Sequence, residues 1–302
     1  MVVIAVLAAS GVAGATYSQL IKIRGKGSEA ARLVCPGGMT NLGYELSELG
    51  TVFPDDPATH IDDVYTVAVE QFEVERVTMS SHTGTHLDVP RHFIEGERGL
   101  TDLNPEEFVW PAYKIKVSEL DLDEGQLQIT KADIKAYEDE YGKIKAGSLV
   151  VLDTAVTDEF DLDDPHDERI IGDSTFNDAV TDTAQNVDDF WELDTEGFEG
   201  AAVQWMFDKR NIAGVGSDAY GPDASDDAFF DATYTTLLND GVALVAINNV
   251  ESLNVNGDII LAPTVRLSEG SGFPTNPIAC HGGADDDHDD DDDDDDDDDN
   301  DD

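Results

Sequence analysis

One stretch of this 302-residue chain concentrates residues able to do chemistry: His82-Thr83-Gly84-Thr85-His86-Leu87-Asp88-Val89-Pro90-Arg91-His92-Phe93. Three of the seven histidines fall within it, with Asp88 among them. His86 and Asp88 are two apart, so in an extended segment their side chains share a face. Gly84 lets the chain bend between His82 and His86. Two imidazoles and a carboxylate converging in this way suit one divalent ion, Zn²⁺ or Mn²⁺, with room left for water or substrate. His92, beyond Pro90, is placed to stand beside that ion as a proton carrier. The alternative is a polar loop with incidental histidines. No His-Glu-x-x-His and no Gly-x-Ser-x-Gly occurs, so the common zinc-protease and serine-hydrolase signatures are absent.

The elements that must position these residues read as mixed α and β. Strands are expected over 64–72, 74–79, 113–117 and 148–153, from β-branched and aromatic residues. A helix is expected over 130–141, opened by Thr130 as N-cap with Asp133 three residues on and closed by Gly142. A second helix over 198–209 precedes a short strand at 212–216. A third, over 232–239, ends at Asp240-Gly241 and leads into a buried strand over 242–247. Residues 158–189 are acidic and poor in apolar side chains, which reads as a surface insertion.

Charge sets the partners. The chain carries 67 acidic against 17 basic residues, a formal net charge of −50. Residues 285–302 hold 16 Asp, and without them 51 acidic residues still face 17 basic ones, so the body is acidic too. Such a surface repels phosphate backbones and anionic membranes; no nucleic-acid and no membrane partner is expected. The tail has no apolar residue and reads as disordered, with weak, multivalent affinity for Ca²⁺ or a calcium mineral. Residues 2–9 have the length of a signal-peptide apolar region, and Ala13-Gly14-Ala15 offers a cleavage pattern, so the chain reads as secreted. A buried strand is the other reading of 2–9. Cys35 and Cys280 flank the body and could pair or stay as thiols.

The histidine stretch resembles the signature of the cyclase family, which includes bacterial-type kynurenine formamidases and isatin hydrolase. The pattern His-x-Gly-Thr-His-x-Asp-x-Pro-x-His is filled at every fixed position. The resemblance runs over roughly 40–265. Phe53-Pro54-Asp55-Asp56-Pro57 looks like the family's opening segment, and Gly216-Ser217-Asp218 like its later Gly-x-Asp strand. It implies a swivelling β/β/α fold within an α/β class, assembly as a homo-oligomer, and metal-dependent hydrolysis of a small amide. By position it implies His82, His86 and Asp88 as metal ligands and His92 as catalytic acid/base. The family usually places a His three residues before Leu237-Leu238 and a Glu in the next strand; Tyr234 and Ala246 stand there. Where the family often has Arg-Thr-Gly, the chain has Asp153-Thr154-Ala155.

The expected organisation is a signal peptide over 1–15, an extension over 16–39, a cyclase-like domain over 40–270, a linker over 271–284 and the poly-Asp tail over 285–302. Three functions compete: a secreted arylformamidase-like hydrolase, a non-catalytic acidic extracellular matrix protein on a degraded hydrolase scaffold, and an enzyme adapted to brine.

Overall fold

A computed structural model of the chain describes residues 29–48, 53, 56–156 and 194–282. The expected signal peptide, acidic insertion and Asp tail lie outside the described residues. The chain divides into a large unit, Met39–His281, and a small one, Met1–Gly38 with Gly282–Asp302. In the small unit, α1 (Glu29–Val34) runs into a turn in which Gly38 N–H donates to the Cys35 carbonyl at 3.0 Å. Neither cysteine is free: Cys35 and Cys280 are both disulfide-bonded.

The described strands, in chain order, are β1 (Gly38–Asn41), β2 (His60–Tyr65), β3 (Val74–Thr78), β4 (His86–Asp88), β5 (Val109–Lys116), β6 (Gln128–Ile129), β7 (Leu149–Asp153), β8 (Gly197–Phe198), β9 (Gly214–Ser217), β10 (Val242–Val245), β11 (Asp258–Leu261), β12 (Gly272–Pro274) and β13 (Ile278–His281). Nine of them form one sheet in the order β1-β13-β11-β5-β7-β9-β10-β4-β12. Its centre, β5-β7-β9-β10, is parallel, and β11 and β4 flank it antiparallel.

Alternation along the central strands builds two cores. Ala112, Leu149, Val151 and Leu244 face one side, while Tyr113, Ile115, Val150, Leu152 and Val215 face the other. The second face is covered by α3 (Lys131–Tyr141) and α4 (Gly200–Arg210), which contribute Ile134, Tyr137, Ala202, Val203 and Met206. On the first face Leu87 of β4 and Ile260 of β11 share one cluster although four strands separate them, so the sheet curls on itself. Helix α3 begins as expected: Thr130 Oγ1 accepts from Ala132 N–H at 3.2 Å, and the Asp133 carboxylate accepts from Thr130 N–H at 2.8 Å. Arg210 of α4 donates to both Glu138 oxygens, at 2.6 and 2.8 Å, and clamps the two helices.

Two expectations are corrected. Residues 64–72 are not one strand: β2 stops at Tyr65 and a short helix, α2 (Val67–Glu70), follows. The β-branched residues there lose to local capping, because the Glu70 carboxylate accepts from Thr66 N–H at 2.9 Å and Gln71 closes the turn at φ 70°. The stretch from 271 is not a linker, since β12 and β13 lie within the main sheet. There β12 supplies the pairing that β4 needs on its second edge.

Candidate metal centre and active site

The histidine stretch leaves β3 in a turn, crosses β4 and ends in a 3₁₀ turn, Pro90–His92. β4 is paired on both sides, to β10 and to β12, and so is held rigidly. Its alternation sends Leu87 into the core and leaves His86 and Asp88 on the opposite face, as their spacing predicts. Gly84 takes φ +56°, the left-handed conformation that swings His82 back over the strand. His82 then lies against Gly272 of β12, where an added Cβ would stand 2.5 Å from the His82 Cε1. Thr85 anchors the turn: its hydroxyl donates to the Ala246 carbonyl and accepts from Tyr44 N–H.

His82, His86 and Asp88 offer three ligand atoms within 4.8 Å of one another, the only such group of His, Cys, Asp or Glu among the described residues. His82 Nδ1 lies 2.7 Å and His86 Nε2 3.3 Å from the same Asp88 oxygen. The partner of His86 Nδ1 is the Gly84 carbonyl at 2.8 Å, which can only accept. Nδ1 therefore carries the proton, and in the neutral ring the Nε2 lone pair points at a carboxylate oxygen. Two acceptors facing each other are reconciled only by a proton or a cation. The residues therefore fit a divalent ion, in a nitrogen- and oxygen-donor set suited to Zn²⁺ or Mn²⁺. The electrostatics agree. Burial pushes the His86 pKa down, but the adjacent Asp88 carboxylate outweighs it and the net shift is upward. Burial pushes Asp88 up, yet the facing imidazoles hold it below the usual carboxylate range.

His92 stacks on His82 with ring centroids 3.9 Å apart and planes at 22°. Burial lowers its pKa, and the neighbouring imidazoles His82 and His86 add to the shift, against opposing pulls from Asp88 and Asp56. The ring is therefore neutral at pH 7 and able to take a proton.

These groups line one side of a cavity of about 600 Å³. Phe53, Phe93 and Phe230 form an apolar wall, with Phe230 edge-to-face on each of the other two at 6.3 Å. Asp56 anchors the entrance to the histidine turn by accepting from Ser80 Oγ at 2.6 Å.

The structure brings all four expected site residues to the same cavity. It does not bring Tyr234, which is 43% exposed and outside the cavity lining; α5 (Asp231–Leu238) turns Thr233 inward instead. Ala246 does line the cavity, just past β10 at φ 51°, but offers no ligand atom. Asp218 is buried outside the cavity lining, where Oδ1 accepts from Thr154 N–H and Oγ1 at 3.0 and 2.8 Å. Ser271, 2.9 Å from His82 Nε2, was invisible in sequence because it lies 189 residues away in a segment without a motif. Asp223, Asp227 and Phe230 likewise reach the cavity from a loop with no recognisable signature.

The sequence model of the family named Cyclase matches residues 40–224. The chain is 26% identical over 211 residues to the isatin hydrolase of Roseibium aggregatum, covering 67% of this chain and 73% of that protein. A 48-residue segment is 46% identical to the kynurenine formamidase of Bacillus cytotoxicus, 16% of this chain and 23% of that one. Among solved structures, an isatin hydrolase bound to the product analogue thioisatinate superposes with a TM-score of 0.67 at 22% identity, covering 88% of this chain and 98% of the other. That likeness shows a shared fold, in line with the α/β class that the family resemblance implies.

Proposed function

The chain belongs to the cyclase family, and from that premise we propose that it is a metal-dependent hydrolase cleaving the C–N bond of a small aryl amide, arylformamide or lactam. The observation that carries this reading is the His82–His86–Asp88 group, with His86 and Asp88 buried and His82 partly so, converging at the edge of an aromatic cavity beside a neutral His92. A divalent ion held by those three side chains supplies the Lewis acidity that polarises an amide carbonyl and acidifies water. The Phe53–Phe93–Phe230 wall holds the aryl ring. His92 accepts a proton from the attacking water and returns it to the departing nitrogen. The hydroxyl of that water ends on the acyl carbon and its proton on the amine. The ring of His92 keeps its orientation through the stack on His82.

The test is the metal content of the purified chain together with turnover of N-formylaniline before and after exhaustive chelation. Binding of one divalent ion per chain and activity lost on chelation, restored by Zn²⁺ or Mn²⁺, is the expected result. Full activity without metal overturns the mechanism.

A second reading, a secreted and non-catalytic acidic matrix protein, is favoured by the 16 Asp of residues 285–302 and by Tyr234 and Ala246 at positions where the family places ligands. It predicts no turnover of any formamide or lactam. It also predicts that the full chain adsorbs to calcium carbonate and that a chain ending at Gly283 adsorbs less. Equal adsorption by both chains, or none by either, counts against it.

A further inference from the structure

The cavity that holds the candidate metal group has an unusual charge. Among its described lining residues are four aspartates, Asp56, Asp88, Asp223 and Asp227, and no Lys or Arg. Asp88 is matched by two imidazoles, whereas Asp223 and Asp227 lie on one loop close enough for the charge of one to act on the other, and among the described lining residues no Lys or Arg answers them. We propose that this cavity selects aryl amides whose ring carries a neutral or cationic substituent and rejects those with a free carboxylate, with Asp223 and Asp227 as the selecting residues. The hydrolase reading supplies the amide in this statement; the charge selection stands on the lining alone.

The two carboxylates are held in place. Phe198 N–H donates to the Pro222 carbonyl at 2.7 Å and Ser225 N–H to the Thr195 carbonyl at 2.9 Å, pinning the loop to β8 and its approach. Asp223 accepts from Thr233 N–H at 2.9 Å and from Thr233 Oγ1. Asp227 accepts from Phe229 N–H at 2.9 Å and Asp231 N–H at 2.7 Å. Those donors are neutral, so both negative charges remain for a ligand to feel. Burial pushes Asp223 up to about 6, against the Thr233 hydrogen bonds and with the Asp227 charge adding to the rise. It is still ionised at neutral pH. In a partly enclosed cavity a charge interaction is screened less than at the surface. An ammonium on the ring gains a partner there, and a carboxylate meets like charges with no counter-ion, which is the stronger source of discrimination. The carboxylate formed when an amide is cleaved meets the same repulsion, which favours its release.

The test uses three acetanilides that share the amide and differ only at the para position: 4-(aminomethyl)acetanilide, acetanilide and 4-acetamidobenzoate. Their affinities are measured by calorimetry on the full chain after chelation, so that no ion recruits the carboxylate. The expected order is cation, neutral, anion, with about a 10-fold gap between the first and last. In Asp223→Asn/Asp227→Asn the gap closes to about 3-fold or less, and each single variant closes part of it. The single variants also guard against misfolding of the double one. An anion bound as tightly as the cation, no binding of any of the three, or a gap that survives both substitutions overturns the proposal. A surviving gap would assign the preference to the field of the whole acidic chain. Turnover is read separately, on the matching formanilides with Zn²⁺ or Mn²⁺. No turnover of any formanilide, with the binding order intact, rejects the hydrolase reading and leaves the charge selection standing.

Discussion

His86 is buried and His92 partly buried among the same charged groups, yet their pKa values move in opposite directions, and the cause is which neighbour each one faces. His86 lies 3.3 Å from the Asp88 carboxylate and is pulled up. His92 stacks on an imidazole and is pushed down by burial and by the adjacent rings. One is suited to sharing a positive charge with a carboxylate, the other to receiving a proton at neutral pH. Replacing His92 by Ala should therefore lower kcat on N-formylaniline by about 10² to 10⁴-fold. Metal stoichiometry should be unchanged, because His92 is outside the converging group. An unchanged kcat would remove His92 from the proton path.

At the scale of elements, the site depends on β4 being held from both edges. Gly272 of β12 pairs with Asp88 and leaves the space that the His82 ring occupies. In Gly272→Ala the new Cβ would meet His82 Cε1 at 2.5 Å and the Leu87 carbonyl at 2.7 Å. The carbonyl belongs to a strand locked on its other side by β10, so the ring or the β4–β12 pairing must yield. We expect a loss of about 1–3 kcal/mol in urea unfolding, as for other overpacked sites, together with weaker metal binding in equilibrium dialysis. Thr130→Ala is the contrasting case. It removes the N-cap of α3, on the covered face of the sheet away from the cavity. It should cost about 1 kcal/mol of stability and leave metal affinity as it was. If both variants lost metal equally, the weakening would report general instability and not displacement of His82.

For the molecule as a whole, acidity is a load on stability as well as a filter on ligands. Asp218 is fully buried, and its Oδ2 has no hydrogen-bond partner. Burial raises its pKa to about 6, against the Thr154 hydrogen bonds and with the neighbouring Asp153 adding to the rise. The folded protein thus holds a proton on Asp218 that the unfolded chain releases near pH 4. Stability from this group is complete below that pH, falls as the pH climbs, and is lost above about 6. A shift of roughly two pH units corresponds to about 3 kcal/mol. Between pH 4 and pH 8 the Asp218→Asn variant should therefore lose about 3 kcal/mol less stability than the wild-type chain. Parallel pH profiles for the two proteins, from urea midpoints, would disprove the assignment.

The candidate site was legible in sequence because its four central residues lie within eleven positions of one strand and its flanking turns. Period-two alternation places His86 and Asp88 on one face whatever surrounds them. The capping box at Thr130 and the core strands β7 and β10 were readable for the same reason, although β10 ends at Val245, two residues short of the expected 242–247. What only the tertiary structure decided came from far along the chain. Ser271 meets His82 across 189 residues, Gly272 makes space for that ring, and Phe53 joins Phe93 and Phe230 into one wall. The charge of the cavity was equally hidden. The chain has 67 acidic residues, and no spacing marks Asp223 and Asp227 as two of the four that line the cavity. Their placement follows from backbone hydrogen bonds of a loop whose partners belong to β8, α5 and the segment before β8, contacts that exist only once the sheet has closed.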